Sequence, residues 1–304
     1  MRGRGLKLGI VGAGAMGRNH ARIAANLPGV NLVGIADVDQ AKAVELANQL
    51  NVKSFPDLPS LLAEVEAVAL VTPVQTHFAL ASEILNAGRH LLIEKPFTGS
   101  SASARQLTEL AREKGVVLAV GLIERFNPAF QKMLKEIRGE KVLGIDIKRL
   151  SPFPERITDA DVIYDMMFHD LDLLCQLLPD EIVDIRAKGE KLRTKVFDRV
   201  VTTLTHSRGA ISRIEASRVF SSKTRNITVS TERFVFSADL LNKTFYARDF
   251  SSPTPSTSPV KQVDQLTEEH KDFLLAIKGQ RPPTVTGEDA VKVLMLAEEV
   301  TKKC

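Results

Sequence analysis

Lys95, Asp165, His169 and Asp172 stand out by type and spacing as residues that could do chemistry. Lys95 follows the apolar run His90–Glu94 and precedes Pro96. A lysine at the carboxyl end of a buried strand, held by a proline with a fixed backbone angle, points into a crevice rather than into bulk water. In IYDMMFHDLDLL, Asp165 and His169 are four apart and Asp172 is three further on, so a helix places all three on one face. Their neighbours read as core. Polar groups there need partners, either one another or a cavity. A carboxylate beside an imidazole raises its basicity and fixes its tautomer, which suits a general base. The plain alternatives are a surface lysine in a turn and a satisfied structural His–Asp pair.

The stretch Leu6 to Asp37 supplies the frame for such residues. Leu6 to Val11 reads as a strand buried on both faces. Gly12, Gly14 and Gly17 then spell G-x-G-x-x-G where that strand gives way to a helix. The spacing assigns Gly12 to a tight turn, Gly14 to close approach of a pyrophosphate, and Gly17 to helix–strand packing. The free N–H groups near Ala15 and Met16 face the phosphates at the helix N-terminus. Pro28-Gly29 breaks the helix, and Asn31 to Ala36 makes a second strand that ends at Asp37, twenty residues beyond Gly17. An acidic side chain there accepts from an adenosine ribose hydroxyl. Asp39 adds a carboxylate, and no Arg or Lys adjoins Asp37 to receive a 2′-phosphate. The expected cofactor is therefore NAD rather than NADP.

Strand and helix signals continue to alternate through Val116–Val120, which predicts a doubly wound parallel sheet. Ligands bind beyond the carboxyl ends of such strands, so Thr72, Pro73, His77, Glu94 and the segment Gly121–Pro128 join Lys95 as suspects. From Asn127 the texture changes. A helix from Pro128, a strand Val142–Leu150 and an apolar helix Val162–Leu178 lead to six short strand-like segments, which suits a mainly antiparallel open sheet. Ser251 to Pro259 reads as an exposed low-complexity loop. The fold expected is α/β, with a dinucleotide-binding domain over 1–122 and an α+β substrate and oligomerisation domain over 123–304. The final helix is free to return to the first domain.

Composition excludes several classes. Hydrophobic content of 44% and charge of 26% are those of a soluble globular protein. A net charge of +4 is too small to argue for nucleic acid. The region Arg186 to Arg225 holds eleven Lys/Arg against three Asp/Glu, and a solvated sheet face ranks ahead of a polyanion site. Cys175 and Cys304 give no disulfide framework, so a reducing, cytoplasmic setting is expected. Arg2, Arg4 and Lys7 before Ala13-Gly14-Ala15 resemble a secretory signal, but cleavage there would destroy the phosphate loop, and none is read. No membrane span, nucleic-acid partner or metal site is expected.

Together the glycine loop, Thr72-Pro73 with His77, Glu94-Lys95-Pro96, the Asp165-x-x-x-His169-x-x-Asp172 helix and the late GQRPP…GEDA segment resemble the glucose–fructose oxidoreductase and inositol dehydrogenase family over essentially the whole chain. The resemblance implies oxidation of a secondary alcohol on a sugar or cyclitol, or the reverse, and a homo-oligomer, dimer or tetramer, formed through the open sheet. It gives Lys95 a hydrogen bond to the reacting hydroxyl, His169 the hydroxyl proton, and Asp165 the task of orienting the histidine or a neighbouring hydroxyl. It places Thr72, Pro73 and His77 along the nicotinamide ribose, Glu94 at the cofactor, and a cis bond at Lys95–Pro96. Met167 departs from the family's glycine and is expected to narrow the pocket. GLIERFNPAF and SPFPERITDADVIYDMMFHDLDLL are similar to members acting at C3 of UDP-N-acetylglucosamine, which makes Arg125, Asn127 and Arg156 substrate contacts. The alternatives are a cyclitol or free-sugar dehydrogenase and a catalytically silent NAD-binding regulator.

Overall fold

In a computed structural model, which describes residues 5–154, 161–252 and 256–304, the apolar run Leu6–Val11 forms β1 and its glycine turn leads into α1, Ala15–Asn26. The alternation then runs β2 (Val30–Ala36), α2 (Gln40–Leu50), β3 (Lys53–Phe55), α3 (Leu58–Leu62), β4 (Ala67–Leu70), α4 (Val74–Asn86), β5 (His90–Glu94), α5 (Ser101–Lys114) and β6 (Leu118–Gly121). Local chemistry sets the helix ends. The side chains of Asp39, Asp57 and Ser100 accept the N–H groups of Lys42, Ser60 and Ser103, and Gly115 ends α5 in the left-handed region at φ 65°.

The six strands lie in the order β3-β2-β1-β4-β5-β6, all parallel. Every residue of β4 and β6 is buried, as a sheet covered on both faces requires. The strand order reverses between β1 and β4, which opens a crevice at their carboxyl ends.

A second sheet begins after α6 (Pro128–Glu136). It contains β7 (Val142–Leu150), β8 (Ile182–Glu190), β9 (Arg199–His206), β10 (Ile211–Ser217), β11 (Thr224–Thr231), β12 (Phe234–Asp239), β13 (Thr244–Asp249) and β14 (Ser256–Ser258). The order is β14-β13-β12-β11-β7-β10-β9-β8, antiparallel throughout except that β7 and β10 run parallel. Alternation along β9 buries Val200, Thr202, Leu204 and His206 and leaves the other face half-open. α6 packs on β12 and β13, and α7 (Phe168–Leu177) on β7 and β10.

Two expectations change. The helix read over 162–178 opens with a π turn, Ile163–Met167, before becoming α-helical. The exposed loop read over 251–259 includes edge strand β14, paired with β13.

Two helices close the chain, α8 (Gln265–Ile277) and α9 (Gly287–Lys303). The chain divides into two units, Met1–Ile123 with Asp264–Lys292 and Glu124–Val263 with Val293–Cys304. Residues well beyond 122 therefore belong to the first unit. Phe273 of α8 joins Leu8, Ile10, Leu32, Ile35, Leu46 and Leu92 in its core. Each side chain of that size contributes roughly 1.5–3 kcal/mol on burial. Among the described residues, no helix is long and apolar enough to cross a membrane.

Candidate active site

Three glycines after β1 answer to different constraints. Gly12 has φ +107°, and a Cβ there would stand 2.4 Å from the Val71 carbonyl oxygen. A Cβ on Gly17 would lie 1.9 Å from the Gly12 carbonyl oxygen. The fold itself demands both. Gly14 differs, because its φ of −69° is ordinary and an added Cβ would meet nothing within 4 Å. It caps α1 with no side-chain bond, and Gly14, Ala15 and Met16 are exposed between buried Ala13 and Gly17. The space left at position 14 and the uncapped helix start fit the pyrophosphate of a dinucleotide.

Asp37 ties the end of β2 to this turn. Its Oδ2 accepts the Ala13 N–H at 2.6 Å and its Oδ1 the Asp39 N–H at 2.8 Å. A carboxylate offers about four lone-pair sites, so it can accept more bonds from ribose hydroxyls. Asp37 faces a cavity of about 540 Å³ lined by Gly12, Gly14, Val38, Thr72 and Pro73 as well. Lys42 also lines it, 2.9 Å from Asp39. The sequence places no basic residue beside Asp37, but the first turn of α2 brings this one to the same cavity.

The ends of β4 and β5 are braced together. Thr76 donates its hydroxyl to Thr72 Oγ1 and the Pro73 carbonyl, both at 2.8 Å. Buried His77 has Nε2 2.8 Å from the Thr72 carbonyl and Nδ1 3.0 and 3.2 Å from the Pro96 and Phe97 carbonyls. Burial holds its pKa below the usual imidazole value despite those carbonyls, so the neutral ring has one N–H for two sides. His77 thus clamps two turns from within, where the resemblance had it lining a ribose. The Lys95–Pro96 peptide is cis. Glu94 Oε1 lies 2.9 Å from His20 Nε2, and Oε2 accepts the Lys95 N–H at 3.0 Å. Gly121 makes room for this carboxyl, whose Cδ would be 3.2 Å from an added Cβ.

In the second unit, half-buried Asp165 lies in the π turn and half-buried His169 follows in α7. The Phe168 N–H donates to the Ile163 carbonyl, five residues back, and single π turns of this kind concentrate at functional sites. Asp172 does not extend their polar face. It is buried and grips Arg125 fork to carboxylate, with Nε–Oδ2 2.8 Å and Nη2–Oδ1 2.6 Å. Arg125 is 4% exposed, so this pair is structural and the guanidinium is not at the surface for a diphosphate. Asn127 is wholly buried as the α6 cap, accepting the Ala129 N–H and donating to the Leu240 carbonyl and Glu124. It likewise lies away from any surface a substrate could reach. Met167 is wholly buried and belongs to the core, so it narrows no open pocket. Arg156 lies outside the described residues.

Sequence reasoning missed a buried ion cluster. Arg149 donates to Asp170 at 2.8 Å and Glu124 at 3.0 Å, and Arg225 to Glu124 at 3.1 Å. Burial pushes Asp170 up to about 6 against the pull of Arg149. The only signal was charge inside an apolar segment. The basic stretch over 186–225 is largely paired: Arg199 and Arg213 reach Glu215 as on a charged sheet face, whereas Arg218 is buried against Asp198 just beyond β10.

A parallel sheet with a phosphate-admitting first turn and an acid closing its second strand defines a dinucleotide-dependent oxidoreductase. Residues 6–122 match the model of the GFO/IDH/MocA oxidoreductase family, NAD-binding Rossmann fold, and residues 146–236 match the GFO/IDH/MocA C-terminal domain. The chain belongs to this family. It is 36% identical to UDP-N-acetylglucosamine 3-dehydrogenase of Acidithiobacillus ferrooxidans, over 97% of this chain and 96% of that protein. A solved structure of that enzyme superposes with a TM-score of 0.93 over 99% of this chain and 98% of that one. The chain is also 26% identical to scyllo-inositol 2-dehydrogenase (NAD(+)) of Bacillus subtilis, over 94% of this chain and 90% of that protein.

Proposed function

We propose that this enzyme moves a hydride between a secondary hydroxyl of a nucleotide sugar, C3 of UDP-N-acetylglucosamine, and the nicotinamide of NAD. The observation that carries the substrate is the 36% identity to a UDP-N-acetylglucosamine 3-dehydrogenase along nearly the whole chain. NAD, when bound, supplies the hydride acceptor. The room at Gly14 and the open start of α1 support holding its pyrophosphate there, with Asp37 accepting from the adenosine ribose and exposed Val38 offering an apolar face to adenine.

The chain's own residues handle the alcohol. Lys95 donates a hydrogen bond to the reacting oxygen, His169 takes the hydroxyl proton, and Asp165 orients the imidazole or a neighbouring hydroxyl. With Arg125 held by Asp172, Arg156 is the remaining arginine of the sequence reading for the diphosphate, whose planar fork suits phosphate. The cysteine usage, half-buried Cys175 and exposed Cys304, supports a reducing, cytoplasmic setting. The half-open face of the second sheet, with exposed Ile211 and Tyr246, supports a homo-oligomer.

Steady-state kcat/KM for UDP-N-acetylglucosamine, N-acetylglucosamine and myo-inositol tests the substrate. The UDP-sugar is expected to be best, and Arg156→Ala to weaken its use far more than that of the free sugar. The similarity to an inositol dehydrogenase favours a cyclitol as the second reading. A clear preference for myo-inositol would establish that one and remove the first.

A further inference from the structure

Four side chains meet inside the first unit: His20 of α1, Glu94 of β5, and Glu269 and His270 of α8. His20 Nε2 is 2.9 Å from Glu94 Oε1, and its Nδ1 is 3.0 Å from His270 Nε2. An ionised carboxylate only accepts, so the proton of the first contact sits on His20 Nε2. The other oxygen of Glu94 accepts the Lys95 N–H at 3.0 Å. A chain of hydrogen bonds therefore runs from His270 through His20 and Glu94 to the backbone of Lys95. His20 and His270, 250 residues apart in sequence, are both buried.

Burial, and then the neighbouring His20, push His270 down to about 3, so that ring is neutral. Glu269 is buried, and neither of its oxygens has a partner among the described residues. It lies within 4.8 Å of the facing atoms of His20 and Glu94. Burial, and then the charge on Glu94, raise its carboxyl well above the usual range. Asp272, on the same helix, is engaged by Thr284 and Arg281.

A carboxylate bonded at both oxygens has one orientation, and here that orientation fixes the residue that follows it. α1 also presents Gly14–Met16 at its first turn. One helix thus holds the cofactor loop at its start and the Lys95 turn from its middle. We propose that His20 is a positioning residue for hydride transfer, setting the Lys95–Pro96 turn through Glu94 while His270 steadies its ring. The proposal rests on the reading of Lys95 as the partner of the reacting hydroxyl.

A double-mutant cycle on the full-length enzyme tests it, with NADH Kd, sugar KM and kcat measured for each variant. His20→Leu is expected to lower kcat by about 10²-fold, the usual effect of a misplacement of about 1 Å, with Kd and KM little changed. His20→Gln places an amide N–H where Nε2 was and is expected to restore most of kcat. In a Lys95→Ala background, His20→Leu is expected to add almost nothing, because both act on one step. Should His20→Leu not fold, His270→Leu against His270→Gln is compared in the same way.

Full kcat in the leucine variants beside an inactive Lys95→Ala would overturn the positioning role and leave Lys95 standing. An active Lys95→Ala would remove the reading of Lys95 and this proposal with it. Losses that simply multiply in the double variant, or that glutamine does not rescue, would reduce His20 to a packing role. One equivalent of a divalent metal that purified enzyme retains and Glu269→Gln loses would make the cluster a cation site and also overturn the proposal.

Discussion

Arg125 and Asp172 meet fork to carboxylate inside the second unit, with both oxygens engaged at 2.8 and 2.6 Å. Removing one partner of such a pair leaves the other charge buried and uncompensated, at a cost of about 3–5 kcal/mol. Arg125→Ala is therefore expected to lower Tm sharply in a thermal melt. Were Arg125 a diphosphate contact instead, the variant would keep its Tm and lose only affinity for the UDP-sugar.

The glycines of the first turn separate fold from ligand. Gly12→Ala and Gly17→Ala are expected to destabilise by more than about 1 kcal/mol, since each Cβ strikes backbone and Gly12 has positive φ. Gly14→Ala is expected to unfold within about 1 kcal/mol of the parent yet bind NADH much more weakly. Chemical denaturation beside NADH titration distinguishes them. Unchanged NADH affinity in Gly14→Ala would place the pyrophosphate elsewhere.

Asp37 is expected to set cofactor choice. Its carboxylate accepts from ribose hydroxyls and repels a 2′-phosphate, so NADH should bind more tightly than NADPH. Asp37→Asn removes the charge and keeps one acceptor for the Ala13 N–H, and is expected to narrow the gap. Lys42, in the same cavity, is the cation that would then meet the 2′-phosphate. Equal Kd values in the parent would refute this.

Lys95→Ala and His169→Ala are expected to bind NADH almost as the parent does. Each should lose turnover, with loss of the general base costing ~10²–10⁴-fold. Full activity in His169→Ala would take that residue out of the mechanism, and lost NADH binding in either would mark a structural role.

Acid should act on His270. Its folded pKa, about 3, lies below the ordinary 6.5, so as pH falls the unfolded chain takes up the proton first. Its contribution is whole above pH 6.5 and is lost between 6.5 and 3 at up to about 1.4 kcal/mol per pH unit. Asp170, raised to about 6 from 3.8, works in reverse, with a contribution whole below 3.8 and lost as pH rises through 6. His270→Gln separates the two. The gap in unfolding free energy between parent and variant should close steadily as pH falls from 6.5 to 4, and a constant gap would mean that His270 is charged in the fold.

What depends on neighbours along the chain was legible in the order of the amino acids. The strand–helix alternation, the G-x-G-x-x-G turn, Asp37 at the end of β2 and Ser100 at the start of α5 all act within a few residues, so spacing reveals them. Side-chain type also announced that Asp172 and Arg125 needed explaining. It did not say that they answer each other across 47 positions, or that His20 finds His270 across 250. Nor could periodicity foresee the parallel β7–β10 pair, the π turn that carries Asp165, or β14. A buried charge states that a partner must exist, because leaving it unpaired costs several kcal/mol, but any residue of opposite charge would satisfy that demand. Only the tertiary structure chooses among them, since packing brings one candidate within hydrogen-bond reach and leaves the others in water.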